Sequence, residues 1–162
     1  MKPVADTKDH TGANPRDGSI GLDVEFPVKV ACVDMGSNAI RFLAAEFESE
    51  ADYRVVAGER APVRLGHGVY LSGRLEAGAM DGAVAALARF RAQMDAHGIE
   101  HYRAVATSAV RESSNRDEFI ARVRQETGLR LETISGSERA FLSIGVALMD
   151  RDAPDIAIKT FK

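Results

Sequence analysis

Asp34, Gly36, Ser37 and Asn38 stand close together in the segment Ala31-Cys32-Val33-Asp34-Met35-Gly36-Ser37-Asn38-Ala39-Ile40. An apolar run from Val28 to Val33 delivers Asp34 to a turn of small residues, and a second apolar run leaves that turn. Gly36 permits positive φ and the close approach of a ligand. Successive N–H groups in such a turn form an anion nest, to which the Ser37 hydroxyl and Asn38 amide add donors. Asp34 beside the nest would repel a phosphate unless a cation lay between them, so the pairing suits a divalent metal. The same residues also make an ordinary hairpin with Asp-x-Gly turn chemistry.

Two further segments carry chemistry. Ala106-Thr107-Ser108-Ala109-Val110-Arg111-Glu112-Ser113 follows an apolar run. Thr107 and Ser108 can donate hydroxyls, and the planar fork of Arg111 matches a phosphate. Alternatively, Thr-Ser caps a helix and Arg111 pairs with Glu112 or another acid. Glu138 stands behind Ser135-Gly136-Ser137 at a predicted helix start. Held there, it could deprotonate a water attacking phosphorus, or simply complement the helix dipole. His67, between two glycines, is a further candidate phosphate contact. No Gly-x-x-x-x-Gly-Lys-Ser/Thr, Gly-x-Ser-x-Gly or His-Glu-x-x-His occurs.

The elements that must position these residues follow from hydrophobic periodicity. Val28–Asp34, Ala39–Glu46 and Tyr53–Val63 read as consecutive strands whose short connections imply antiparallel pairing. Arg64-Leu65-Gly66-His67-Gly68 reads as a glycine-punctuated loop. Glu76–His97 reads as a helix, with Met80, Val84, Leu87, Ala88, Arg91 and Met94 at helical spacing and Gly98 at its end. Tyr102–Thr107 is a strand. A helix over Arg116–Thr127 is capped by Asn115 and turns Phe119, Ile120 and Val123 inward. Leu131–Ile134 is a strand, and Ser137 caps a last helix over Glu138–Met149. This order predicts an α/β fold, a mixed five-stranded sheet flanked by helices. Four loops then gather at one end of the sheet, where parallel strands collect their ligands. Residues 1–27 read as a disordered tail, 28–150 as the domain and 151–162 as a second tail.

The chain has 162 residues, 45% hydrophobic and 28% charged, enough for one domain with a real core. A net charge of -3 argues against a general nucleic-acid binder but leaves room for a local basic pocket. Cys32 is the single cysteine, which removes intrachain disulfides and thiol-rich metal sites. It sits in the first apolar run as a small buried hydrophobe. No apolar stretch reaches the ~18 residues of a membrane span, and the first residues lack a signal-peptide apolar region. A cytoplasmic location, with no membrane partner, is the default expectation.

In combination these motifs resemble the exopolyphosphatase and guanosine pentaphosphate phosphatase family. Asp34-Met35-Gly36-Ser37-Asn38-Ala39 is similar to its Asp-Leu-Gly-Ser-Asn-Ser opening. Arg64-Leu65-Gly66, Ala106-Thr107-Ser108-Ala109-Val110-Arg111 and Ile134-Ser135-Gly136 match its later motifs in order. The resemblance runs from about Val28 to Met149. It implies a ribonuclease H-like domain of the actin, hexokinase and Hsp70 superfamily. It also implies magnesium-assisted hydrolysis of terminal phosphoanhydride bonds in inorganic polyphosphate or guanosine pentaphosphate. Carried over, Gly36, Ser37, Asn38, Thr107, Ser108 and Arg111 bind phosphate, Asp34 helps to place Mg2+, and Glu138 activates water.

Two departures stand out. The family reads Ser-Gly-x-Glu-Glu-Ala-x-Leu with the second glutamate catalytic, whereas this chain reads Ser135-Gly136-Ser137-Glu138-Arg139-Ala140-Phe141-Leu142. Counted forward, Arg139 holds the catalytic place; counted back from Gly145-Val146, Glu138 does. The family also carries a second phosphate loop, Asp-x-Gly-Gly-Gly-Ser, at the start of a second domain. Residues 151–162 fall where that domain would begin, and no such loop follows Asp155. An exposed inter-domain face would favour a homodimer, and a non-catalytic polyphosphate- or alarmone-binding module is the alternative function.

Overall fold

A computed structural model of the chain describes residues 25–49 and 52–134. The expected helix start at Ser135–Glu138, its continuation to Met149, the segment 151–162 and most of the N-terminal tail lie outside the described residues. The described elements run β1 (Val28–Met35), β2 (Ile40–Phe47), β3 (Tyr53–Ala61), α1 (Leu65–Ser72), α2 (Ala77–Ala96), β4 (His101–Ala106), α3 (Ser108–Glu112), α4 (Arg116–Thr127) and β5 (Leu131–Thr133).

The five strands form one mixed sheet in the order β3-β2-β1-β4-β5. β1 lies at its centre, antiparallel to β2 and parallel to β4, and β4 is parallel to β5. This is the ribonuclease H-like arrangement expected from the order of elements. A central strand is buried on both faces, and Ala31, Cys32 and Val33 in β1 are all buried. β3 carries an irregularity opposite Ala44 and Ala45, which pair with Ala57 and Val55 and leave Val56 as the extra residue. Val56 and Ala57 consequently both pack on the main core. Pro62 then ends β3, since it has no N–H to offer the ladder.

All four described helices pack on one face of the sheet. Val33, Met35, Ile40 and Phe42 of that face share a core with Leu65, Leu87, Phe90, Val110, Phe119 and Val123. Phe42 stacks on Phe90 with ring centroids 5.1 Å apart, locking β2 to α2. The buried stripe of α2 is Met80, Ala83, Val84, Ala86, Leu87, Phe90 and Met94. Ala88 is exposed and Arg91 only half-buried, so Phe90 and Ala83 take the places assigned to them by spacing. The Lys29 ammonium donates to the His97 carbonyl at 3.1 Å, where the negative end of the α2 dipole favours a cation.

Two connections differ from expectation. Residues 64–68 are the start of helix α1 rather than a loop. Glycine costs a helix up to about 1 kcal/mol per residue, so local propensity argued against it. Tertiary contact overrides that cost. Leu65 is fully buried, and the Gly66 N–H donates to the Ser37 carbonyl at 2.8 Å. A Cβ on Gly66 would lie 2.8 Å from the Ser37 Cβ, and one on Gly68 would lie 2.8 Å from the Arg74 carbonyl. The two glycines are what let α1 press onto the 36–38 turn and onto its own exit loop.

Asn115 is the second difference. It stands at the N-cap of α4 but makes no capping bond. Its side-chain oxygen instead accepts from the Leu75 N–H at 2.9 Å, and its amide donates to the Leu75 carbonyl at 3.1 Å. Ser114 adds bonds from its N–H and hydroxyl to the Gly73 carbonyl, at 2.9 and 3.1 Å. The α3–α4 corner thus clasps the α1–α2 connection. Left-handed glycines among the described residues, Gly73, Gly98 and Gly128, each follow a helix, so positive φ serves helix ends and not the 36–38 turn.

Cys32 is 1% exposed, and burial, reinforced by the nearby charge of Asp34, pushes its thiol up to about 12. Native protein at pH 8 should therefore leave Cys32 unreactive towards a disulfide reagent, and denaturant should release one rapid equivalent. Above the ordinary value of 9.0 the unfolded chain loses this proton more readily than the folded chain. Stability should accordingly fall as pH rises from 9 towards 12, and Cys32→Ala should flatten that slope. A pair of alanine substitutions tests the close approach of α1. Gly66→Ala should destabilise by about 1–3 kcal/mol in urea unfolding, because Ser37 must move. Gly82→Ala in α2 meets only Val63 methyls at 3.9 Å and should stabilise by about 0.5–1 kcal/mol.

Candidate functional site

The site is built where β1 and β4 end side by side. Asp34 pairs with Val105 and Met35 with Ala106 across the parallel ladder. Beyond Met35 the chain turns at residues 36–38, closed by the Gly36 N–H donating to the Ala39 carbonyl at 3.0 Å. Beyond Ala106 the short helix α3 begins at Ser108. Helix α1 docks its first turn on the back of the 36–38 turn. Three of the four loops expected at one end of the sheet therefore meet there, and the fourth lies outside the described residues.

An open cleft of about 910 Å³ runs between them. Ser37 and Asn38 from the turn and Ser108 from α3 line it. Gly36 forms the base of the turn. Asp34 is buried, 5% exposed, at the end of β1 directly beneath it.

Thr107 is a correction. Its hydroxyl was expected to face a phosphate, but it is buried and donates to the Met35 carbonyl at 3.1 Å, beside a second bond from the Thr107 N–H at 3.2 Å. Its one proton holds β4 to β1. Arg111, on α3, does not itself line the cleft. Its guanidinium donates to the Ile134 carbonyl at 2.8 Å and pairs with Glu112 at 2.8 Å. Ile134 itself continues the β5 ladder to Ala106 through a 3.0 Å bond. Arg111 thus stands where β5 hands over to Ser135, the first residue of the motif that ends in Glu138. Glu138 lies outside the described residues.

The cleft also holds residues that motif reading did not assign to it. Arg60 from the end of β3, Arg64 before α1, and Tyr70 on α1 line it with His67. Neither Arg60 nor Arg64 has an ion-pair partner among the described residues, although Arg54, Arg89, Arg91, Arg103, Arg111, Arg116 and Arg122 each have one. Glu112, the acid on the cleft wall, is engaged by Arg111. The excess of charge on this wall is positive in a chain whose net charge is -3, which suits an anionic ligand. Arg60 escaped notice because its nearness to the turn depends on strand register, which motif spacing does not encode.

Among the described residues no group of three or more His, Cys, Asp or Glu side chains could hold a metal alone. Mg2+ does not need such a cage. It keeps several waters and is held by one or two carboxylates with substrate phosphates. One buried carboxylate, Asp34, beside the 36–38 turn fits that requirement.

Comparison with known proteins agrees with this geometry. Residues 45–157 match the Ppx/GppA phosphatase family. Exopolyphosphatase 2 of Mycobacterium tuberculosis is 37% identical over 123 residues, covering 71% of this chain and 39% of that protein. A bifunctional 3-dehydroquinate synthase/phosphatase of Fusobacterium nucleatum is 31% identical over 133 residues, covering 77% of this chain and 20% of that protein. The crystal structure of the Aquifex aeolicus Ppx/GppA family member superposes with a TM-score of 0.67 at 28% identity, covering 75% of this chain and 40% of that one. That of an exopolyphosphatase from Cytophaga hutchinsonii gives 0.68 at 33% identity, covering 73% and 38%. The chain spans between a fifth and two-fifths of the length of these curated relatives. On the extent of the family match and on the cleft at the ends of β1 and β4, this chain belongs to the Ppx/GppA phosphatase family.

Proposed function

We propose that this chain supplies the first phosphate-binding wall of an exopolyphosphatase-type phosphohydrolase, which removes the terminal phosphate of inorganic polyphosphate or of guanosine pentaphosphate. The observation that carries the reading is the convergence of Ser37, Asn38 and Ser108 in one cleft whose Arg60 and Arg64 have no ion-pair partner among the described residues. Phosphoryl transfer asks mainly for positioning and charge neutralisation, and these residue types supply both.

In this reading Ser37, Asn38 and the backbone of Gly36 seat the terminal phosphate, and Ser108 donates from the opposite wall. Arg111 reaches the same phosphate by exchanging Glu112 for it. The exchange costs little, because a half-exposed ion pair contributes only about 0–1 kcal/mol, whereas a hydrogen bond to a charged group contributes about 1.5–3 kcal/mol. Asp34 would hold Mg2+, which neutralises charge on the phosphate oxygens. Glu138 takes the proton of the attacking water, and the leaving phosphate chain departs in line with the attack. A second phosphate loop, as in the family's second domain, closes the site from the other side. A binding-only role is the second reading, favoured by Arg139 standing at the forward-counted catalytic position.

Binding and turnover separate these readings. Calorimetry with tripolyphosphate and Mg2+ should show Arg111→Ala and Asn38→Ala each weakening affinity about tenfold. Glu138→Gln should leave affinity intact while lowering phosphate release at least 10²-fold, measured with a second phosphate loop supplied in trans. Unchanged affinity in both binding variants would remove the proposed anion site. Unchanged release in Glu138→Gln would remove the assigned base.

A further inference from the structure

Three neighbouring strands place Asp34, Arg41 and Arg60 side by side. Asp34 in β1 pairs with Arg41 in β2, and Arg41 pairs with Arg60 in β3. Residues directly opposite in antiparallel strands project from the same face, so the three form a row that leads away from the phosphate turn. Like charges directly opposite are destabilising in a sheet. Asp34 stands across from Arg41, but Arg60 faces only another cation. Both arginines are exposed, and neither has an ion-pair partner among the described residues. Four residues after Arg60, beyond the Pro62 turn, Arg64 brings a second unpartnered guanidinium to the same cleft as Ser37 and Asn38.

We propose that Arg60 and Arg64 form a distal anion subsite that holds the inner phosphates of a polyphosphate chain whose terminal phosphate lies on the 36–38 turn. The inference rests on the phosphate reading of that turn and adds what lies next to it. A single phosphate occupies the turn, Ser108 and Arg111 and does not extend to Arg60 or Arg64. A longer chain runs outward along the cleft wall and meets two guanidiniums that have no ion-pair partner among the described residues. The neighbouring charge of Arg41 raises the potential there without lining the cleft. The row therefore selects for a linear polyanion over a single phosphate, and its like-charge repulsion is relieved when the anion binds.

The test uses the 162-residue chain with orthophosphate, tripolyphosphate and long-chain polyphosphate as probes, in calorimetry over a range of salt. Native protein should bind more tightly as the probe lengthens. The double variant Arg60→Gln/Arg64→Gln should lose about tenfold in affinity for the long chain, keep its orthophosphate affinity, and show a shallower salt dependence by about one unit per arginine removed. Both side chains are exposed and make no hydrogen bond among the described residues, so the variant should fold, and its melting temperature should be no lower than that of the native protein. A control, Arg124→Gln/Arg130→Gln, makes the same charge change at the opposite end of the sheet and should retain the length preference. Retention of length preference by the Arg60/Arg64 variant would overturn the proposal, as would an equal loss in the control or a parallel loss for orthophosphate. A protein whose long-chain binding depends on Arg60 and Arg64 but ignores Asn38→Ala would keep this subsite and remove the terminal-phosphate reading of the turn.

Discussion

The carbonyl of Met35 is the point on which the architecture turns. It accepts two hydrogen bonds from Thr107, one from the N–H and one from the buried hydroxyl. That carbonyl ends β1, and the residue that binds it ends β4. The junction fixes the 36–38 turn against the start of α3 and so sets the spacing of Ser37 and Ser108 across the cleft. A buried hydroxyl left without its acceptor costs about 1–3 kcal/mol, which gives the junction a preferred state and keeps the two strand ends together. Thr107 acts on the site as a fastener and leaves the exposed donor role to Ser108.

Much of this was legible in the chain itself, for identifiable reasons. The strands announced themselves because β-branched and aromatic residues alternate between short polar turns, and the central strand because it is apolar from Val30 to Val33. Ser37, Asn38 and Ser108 were legible because small polar residues directly after an apolar run have few roles beyond turns and ligands. Helix α1 was not. Gly66 and Gly68 look like loop residues until Ser37 and Arg74 are placed against them. Asn115 was read as a cap because caps are local, while its actual partner, Leu75, is 40 residues away. Arg60 was invisible for a related reason, since only cross-strand register brings it beside Arg41.

Pairing of charge sorts the surface into two kinds. On α2 and α4, Arg91 is paired by Asp95 and Arg122 by Asp81 and Glu126. Such exposed pairs contribute little stability and mainly keep the helices soluble. At the cleft the sequence withholds the acids. Arg60 and Arg64, without an ion-pair partner among the described residues, leave the cleft wall with an excess of positive charge in a chain whose net charge is -3.

The parallel pairing of β1 with β4 has a consequence for how the site comes into being. The β1–β2–β3 meander has short connections and closes at low entropic cost, so the 36–38 turn can form as soon as its own hairpin does. The cleft cannot. Its second wall arrives only after α1 and α2 have crossed over, and the fastening bond joins residues 72 positions apart. Contacts of that span close slowly. During synthesis the turn therefore precedes its cleft, and the two walls of the cleft meet only once β4 has docked.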